Sequence, residues 1–103
     1  LVVLGHQSCG AVGAATGFVS GGELPTGLQR PIIEKVAASA LVAGPHATTD
    51  DVEREHTRQT VAQLVASVPN VRRLLDEGAL GVIGARYLLE DSSVETLQTF
   101  GVD

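Results

Sequence analysis

The 103-residue chain predicts an α/β fold, a mostly parallel sheet with flanking helices and a C-terminal antiparallel return strand. Three observations carry that reading. Leu1, Val2, Val3 and Leu4 form an unbroken apolar run, and residues 80–89 form a second, mostly apolar one that reads as the second strong strand. The first has the composition of a strand buried on both faces. Between the two runs, apolar residues recur at helical spacing in several segments. After the second run, Glu90, Asp91, Ser92 and Ser93 make a turn by composition, and residues 94–97 read as the strand that comes back.

Taken in order, Gly5 punctuates the first strand. Ala11, Val12, Ala14 and Ala15 read as the opening of a small-residue helix, and residues 20–27 are a loop rich in Gly and Pro. Pro31 suits the first turn of the next helix, whose apolar stripe is Ile32, Ile33, Val36, Ala37, Ala40 and Leu41, stopped by Gly44 and Pro45. His46 falls in the next loop and reads as solvated. Thr48 or Thr49 caps a further helix, with Asp50, Asp51 and Glu53 near its positive end and Val61, Leu64, Val65 and Val68 as its buried face. Pro69 opens a short helix with Val71, Leu74 and Leu75 inward and Arg72 and Arg73 on the wet face, closed by Gly78. Gly81 and Gly84 weaken the second strand in isolation, so a neighbouring backbone is expected to approach it closely.

Composition narrows the function classes. A hydrophobic fraction of 44% suits a folded core. Twelve acidic against seven basic residues give a net charge of −5, which argues against nucleic acid or an anionic membrane as the main partner. No run is long enough for a membrane helix. The single cysteine excludes an internal disulfide and is compatible with a reducing cytoplasm, the expected location. It also rules out a self-contained Cys₂His zinc site within one copy.

The stretch with chemistry in it is His6, Gln7, Ser8, Cys9 and Gly10. It lies between a strand's carboxyl end and a helix, where open α/β sheets place their sites. Imidazole and thiolate are both zinc ligands, and a tight loop lets a His and a Cys separated by two residues face one ion. Cys9 near a helix N-terminus favours the thiolate that zinc requires. The plainer reading of a lone Cys is a small buried hydrophobe. Gly5, Gly10 and Gly13 invite a phosphate-loop reading, but their spacing fits neither the dinucleotide fingerprint nor the Gly-Lys-Ser/Thr loop, and no Lys or Arg lies nearby.

The string Val3-Leu4-Gly5-His6-Gln7-Ser8-Cys9-Gly10-Ala11-Val12 resembles the second zinc motif of the β-class carbonic anhydrases, in which a His-x-x-Cys-Gly follows an apolar strand. The stretch Glu55-His56-Thr57-Arg58-Gln59-Thr60-Val61-Ala62-Gln63-Leu64 resembles that family's long helix after the zinc loop. The stretch Leu80-Gly81-Val82-Ile83-Gly84-Ala85-Arg86-Tyr87 resembles its last core strand. After it, the family often has Tyr-Asp and a Gly in the turn, where this chain has Leu88 after Tyr87 and then Glu90 to Ser93. The family's first motif, Cys-x-Asp-x-Arg, lies some tens of residues before the His-x-x-Cys and is not in this sequence. The resemblance therefore implies that residues 1–103 are the C-terminal part of a single β-carbonic-anhydrase-like domain, an incomplete version of that fold.

By that resemblance the function is zinc-dependent, reversible hydration of carbon dioxide to bicarbonate, by a cytoplasmic homo-oligomer. His6 and Cys9 are implied as two of the zinc ligands. Gly10 is implied beside the substrate, with its backbone N–H facing an anion at the helix start. The family's catalytic Asp–Arg pair is absent, so no catalytic residue is assigned and these residues alone are expected to be inactive. Arg86 is a candidate substitute cation, with a structural or surface role favoured. The competing readings are a non-catalytic relic or interaction domain that keeps the second half of the fold, and a small anion- or nucleotide-binding α/β module. If the strand of the first motif is absent, residues 1–4 become an apolar sheet edge open to pairing with another chain.

Overall fold

A computed structural model describes residues 1–102. Asp103, the last residue of the span assigned to the domain, lies outside the described residues. The elements run β1 (Val2–His6), α1 (Gly10–Val19), a 3₁₀ turn (Gly27–Gln29), α2 (Arg30–Ala43), α3 (Thr49–Ser67), α4 (Pro69–Asp76), β2 (Val82–Leu88) and β3 (Ser93–Phe100). The fold is the α/β arrangement that the sequence predicts. Contacts divide it into two compact units, one made of Leu1–His6 with the chain from Thr57 onward, the other of Gln7–His56.

The first unit holds a three-stranded mixed sheet in the order β1-β2-β3. β1 pairs with β2 in parallel, Val2 opposite Ile83 through His6 opposite Tyr87. β2 pairs with β3 antiparallel, with a bulge where Gly84 faces Gln98 and Ala85 faces Thr96, so that Leu97 is the extra residue. The return strand is thus eight residues long rather than the four that its apolar residues marked. Ser92 adopts φ 60° in the hairpin turn, and Asp91 Oδ1 accepts from the Ser93 backbone N–H at 3.0 Å and from its hydroxyl at 2.6 Å. Those bonds hold the Asp91 carboxyl below the usual carboxylate range.

Among the described residues, the apolar run at residues 1–4 lies at the edge expected where the strand of the first motif is not present. β1 is an edge strand, with Val2 60% and Leu4 57% exposed. The reason is topological: β2 covers one side of it and no described strand covers the other. The close approach expected at the strand glycines is made by side chains. A Cβ on Gly84 would lie 2.8 Å from Val61 Cγ2, and one on Gly5 would lie 2.5 Å from Thr57 Oγ1. Both contacts come from the C-terminal part of α3, whose Thr57, Val61 and Val65 are buried. Gly81 meets the Val102 side chain. Leu64 is half-buried, while Val68 falls beyond the end of α3 and is exposed.

The second unit packs α1 on α2 around Val12, Ala15, Ile33, Val36, Ala37, Ala40 and Val52. On α2 the buried line is Ile33, Val36, Ala37, Ser39 and Ala40. Ile32 and Leu41 are exposed because each stands one residue, about 100° of helix, outside that line. α3 starts with the cap that the sequence offers. Thr48 Oγ1 accepts from Asp51 N–H at 3.2 Å, and Thr48 N–H donates back to Asp51 Oδ2 at 3.0 Å, a reciprocal pair that satisfies two end groups of the helix. In α4, Arg72 and Arg73 are exposed and pair with Asp76 and Glu77 one turn on, each at 3.4 Å.

Candidate functional site

His6 is the last residue of β1, exposed, and sits opposite Tyr87 in the parallel register. It belongs to the first unit, whereas Cys9 and Gly10 belong to the second. Ser8 turns the chain between them with φ 59°. That left-handed conformation costs a residue with a side chain about 1 kcal/mol, so the turn has to be held by its neighbours.

The neighbour on the C-terminal side is α1. Cys9 is its N-cap, extended at φ −70° and ψ 121°, with no capping bond from its own side chain. Its carbonyl accepts from Gly13 N–H at 3.0 Å, the first bond of the helix. Its own N–H donates to Glu53 Oε2 at 3.0 Å. In a capping box that bond comes from the third residue of the same helix. Here the third residue is Val12, which has no acceptor, and α3 provides the carboxylate instead. Glu53 is only 4% exposed, and a buried negative group is tolerated there because the helix N-terminus is positive and the N–H is a direct partner. The Cys9 side chain is half-buried and packs against the apolar core of its unit as a free thiol. Gly10 is exposed, and a Cβ there would meet nothing within 4 Å. It lines an apolar groove of 280 Å³ with Ala11, Ala14, Gln29, Ile32 and Ile33.

The donor chemistry of His6 and Cys9 suits zinc. Among the described residues, no group of three or more His, Cys, Asp or Glu side chains is arranged to hold a metal ion. A zinc site takes three or four protein ligands, so the two residues suit part of a ligand set. Two charged residues sit deeper than their type suggests. Glu53 heads the line 53, 57, 61, 65, which repeats every four residues along one face of α3. Arg86 is 1% exposed, buried rather than at the surface within the structural or surface role favoured for it; its guanidinium lies 3.6 Å from Glu95, its register partner on β3. His46 is exposed, in line with its loop placement. His56 of α3 lies with Nδ1 2.9 Å from the hydroxyl of Ser39, which is buried on α2. Burial, with the positive charge of Lys35, holds its imidazole below the usual range.

Among the described residues, no helix is long and apolar enough to cross a membrane. A family model described as carbonic anhydrase matches residues 1–94. The chain is 39% identical over 93 residues to carbonic anhydrase 2 of Mycobacterium tuberculosis (strain ATCC 25618 / H37Rv), a match that covers 88% of this chain and 45% of that protein. It is 37% identical over 103 residues to the carbonic anhydrase of Mycolicibacterium smegmatis (strain ATCC 700084 / mc(2)155), covering 98% of this chain and 50% of the relative. The chain thus spans about half the length of the curated relatives it matches. A strand that ends in His6, a turn at Ser8, Cys9 capping a helix, and these matches lead to one conclusion: the chain belongs to the carbonic anhydrase family, in its β class.

Proposed function

We propose that residues 1–103 are the C-terminal part of a single β-carbonic-anhydrase domain, and that the whole protein hydrates carbon dioxide reversibly to bicarbonate with zinc, as a cytoplasmic homo-oligomer. The observation that carries this is the family match over the stretch in which His6 ends β1 and Cys9 begins α1. His6 and Cys9 hold zinc in this reading, and the rest of the ligand set comes from outside residues 1–103. When bound, zinc supplies the Lewis acidity that activates water, for which carbonic anhydrase is itself the standard example. The chain's own residues bind and orient. His6 offers an imidazole from the end of a paired strand. Cys9 offers a thiolate from a helix N-terminus, where the dipole favours negative charge. The backbone N–H of Gly10 at the same terminus faces the bicarbonate anion.

The test is zinc content and stopped-flow carbon dioxide hydration in the full-length protein and in its His6→Ala and Cys9→Ser variants. Each variant is expected to lose most of its zinc and its turnover. Residues 1–103 alone are expected to be essentially inactive, since they lack the Cys-x-Asp-x-Arg motif. Full zinc content and turnover in both variants, or zinc-dependent turnover by residues 1–103 alone, would overturn the reading.

A further inference from the structure

We infer that Glu53 is the positioning residue for Cys9: its carboxylate holds the Cys9 backbone so that the thiolate is presented in one place. The inference rests on the reading of Cys9 as a zinc ligand. Four observations within one unit carry it. Cys9 N–H donates to Glu53 Oε2 at 3.0 Å. Glu53, which carries the acceptor, is 4% exposed. The preceding residue, Ser8, is held in the left-handed region. Neither the Cys9 side chain nor Val12, the third residue of α1, makes the capping bond that would hold the turn from within.

The physical consequence is specific. The thiol is joined to the backbone by one rotatable carbon, so its position tracks that of the Cys9 main chain closely. Released from Glu53, the peptide before Cys9 has a strained residue on one side and only the first helical bond on the other, and Ser8 relaxes toward ordinary φ. A ligand that wanders loses metal affinity because its order has to be restored on binding. Outer residues that orient metal ligands are typically worth about 10–100-fold in affinity. The bond needs an acceptor in place rather than a charge, so an amide at position 53 serves where a methyl does not.

The experiment uses the full-length protein with zinc alone as the probe, and the variants Glu53→Ala, Glu53→Gln and Glu53→Asp. Two quantities are read: zinc affinity, and hydrogen exchange of the Cys9 amide in the metal-free protein, set against global stability. Glu53→Ala is expected to lower zinc affinity by about 10–100-fold and to speed Cys9 exchange by at least about tenfold, as loss of a hydrogen bond to a charged group implies. Glu53→Gln, which keeps a neutral acceptor, is expected to raise Cys9 exchange clearly less than Glu53→Ala does and to recover most of the zinc affinity. If Glu53→Ala does not fold, Glu53→Asp decides, because its carboxylate is one methylene short and Cys9 exchange must still rise. Unchanged Cys9 exchange in the Ala or Asp variant overturns the inference. So does a Glu53→Gln variant as impaired as Glu53→Ala, since charge or bulk would then be what matters. Cys9→Ser separates the two readings. If it binds zinc as tightly as the parent, the ligand reading fails. If it loses zinc while Glu53→Ala keeps it, only the positioning role fails.

Discussion

A Cβ on Gly84 would stand 2.8 Å from Val61 Cγ2 and 3.4 Å from Thr57 Cγ2, and Val61 is 0% exposed, so α3 rests on β2 at a spot with no room for a methyl group. Gly84→Ala should therefore cost about 1–3 kcal/mol as overpacking. Val61→Ala removes two carbons from a fully buried site, about 1.6 kcal/mol at ~0.8 kcal/mol per CH₂. A residual cavity brings the total to about 2–3 kcal/mol. The two changes are complementary, because the methyl added at 84 enters space vacated at 61. Independent sites would sum to about 3–6 kcal/mol. The double variant is expected at only about 1–3 kcal/mol, a stabilising coupling of about 1–3 kcal/mol. Guanidinium unfolding of the parent, both single variants and the double variant gives the cycle, with equal slopes as the sign that only stability has changed. Additivity within about 0.5 kcal/mol would refute the reasoning, because it would mean that α3 does not meet the sheet at Gly84.

Two further outcomes are expected. Because burial holds His56 below the ordinary imidazole range, the unfolded chain takes up its proton first as pH falls. The stability that His56 contributes in its neutral form is complete above the unfolded pKa of about 6.5 and is lost below it; His56→Gln should flatten the decline between pH 7 and pH 5 in thermal melts, and an unchanged slope would count against it. The exposed apolar edge of β1 is expected to drive association of the 103-residue chain. Sedimentation equilibrium at micromolar concentration should find oligomers that Leu4→Lys weakens, with stability changed by no more than about 0.5 kcal/mol, and a monodisperse parent monomer would show that the edge needs no partner.

Periodicity made most of the fold legible, and its failures share a cause. Residues 94–97 were visible as a strand because Val94 and Leu97 are apolar, yet β3 continues to Phe100 through polar residues that main-chain pairing with β2 holds in place. The run at residues 1–4 has the composition of an interior strand, and its exposed edge among the described residues is the one expected where the strand of the first motif is not present. The His6–Cys9 stretch was legible as chemistry because both residue types are rare in this chain and sit where α/β folds put sites. Glu53 and Arg86 were not, because a charged residue is assumed to be wet until its partner is known. Their partners, the Cys9 main chain and Glu95, lie 44 and 9 positions away in sequence.

Those two charges show where this chain spends polar groups inside. Arg86 faces Glu95 across a β-ladder, where the sheet register already aligns both backbones. Glu53 is different, because its partner is a main-chain N–H next to Ser8, which is left-handed, at a helix start where the Cys9 side chain makes no cap. One helix turn on, in the other unit, Thr57 fills the place that a side chain on Gly5 would take, directly before His6. Each contact lies within one unit: a hydrogen bond to the Cys9 backbone in the second, and a side chain packed against Gly5 in the first.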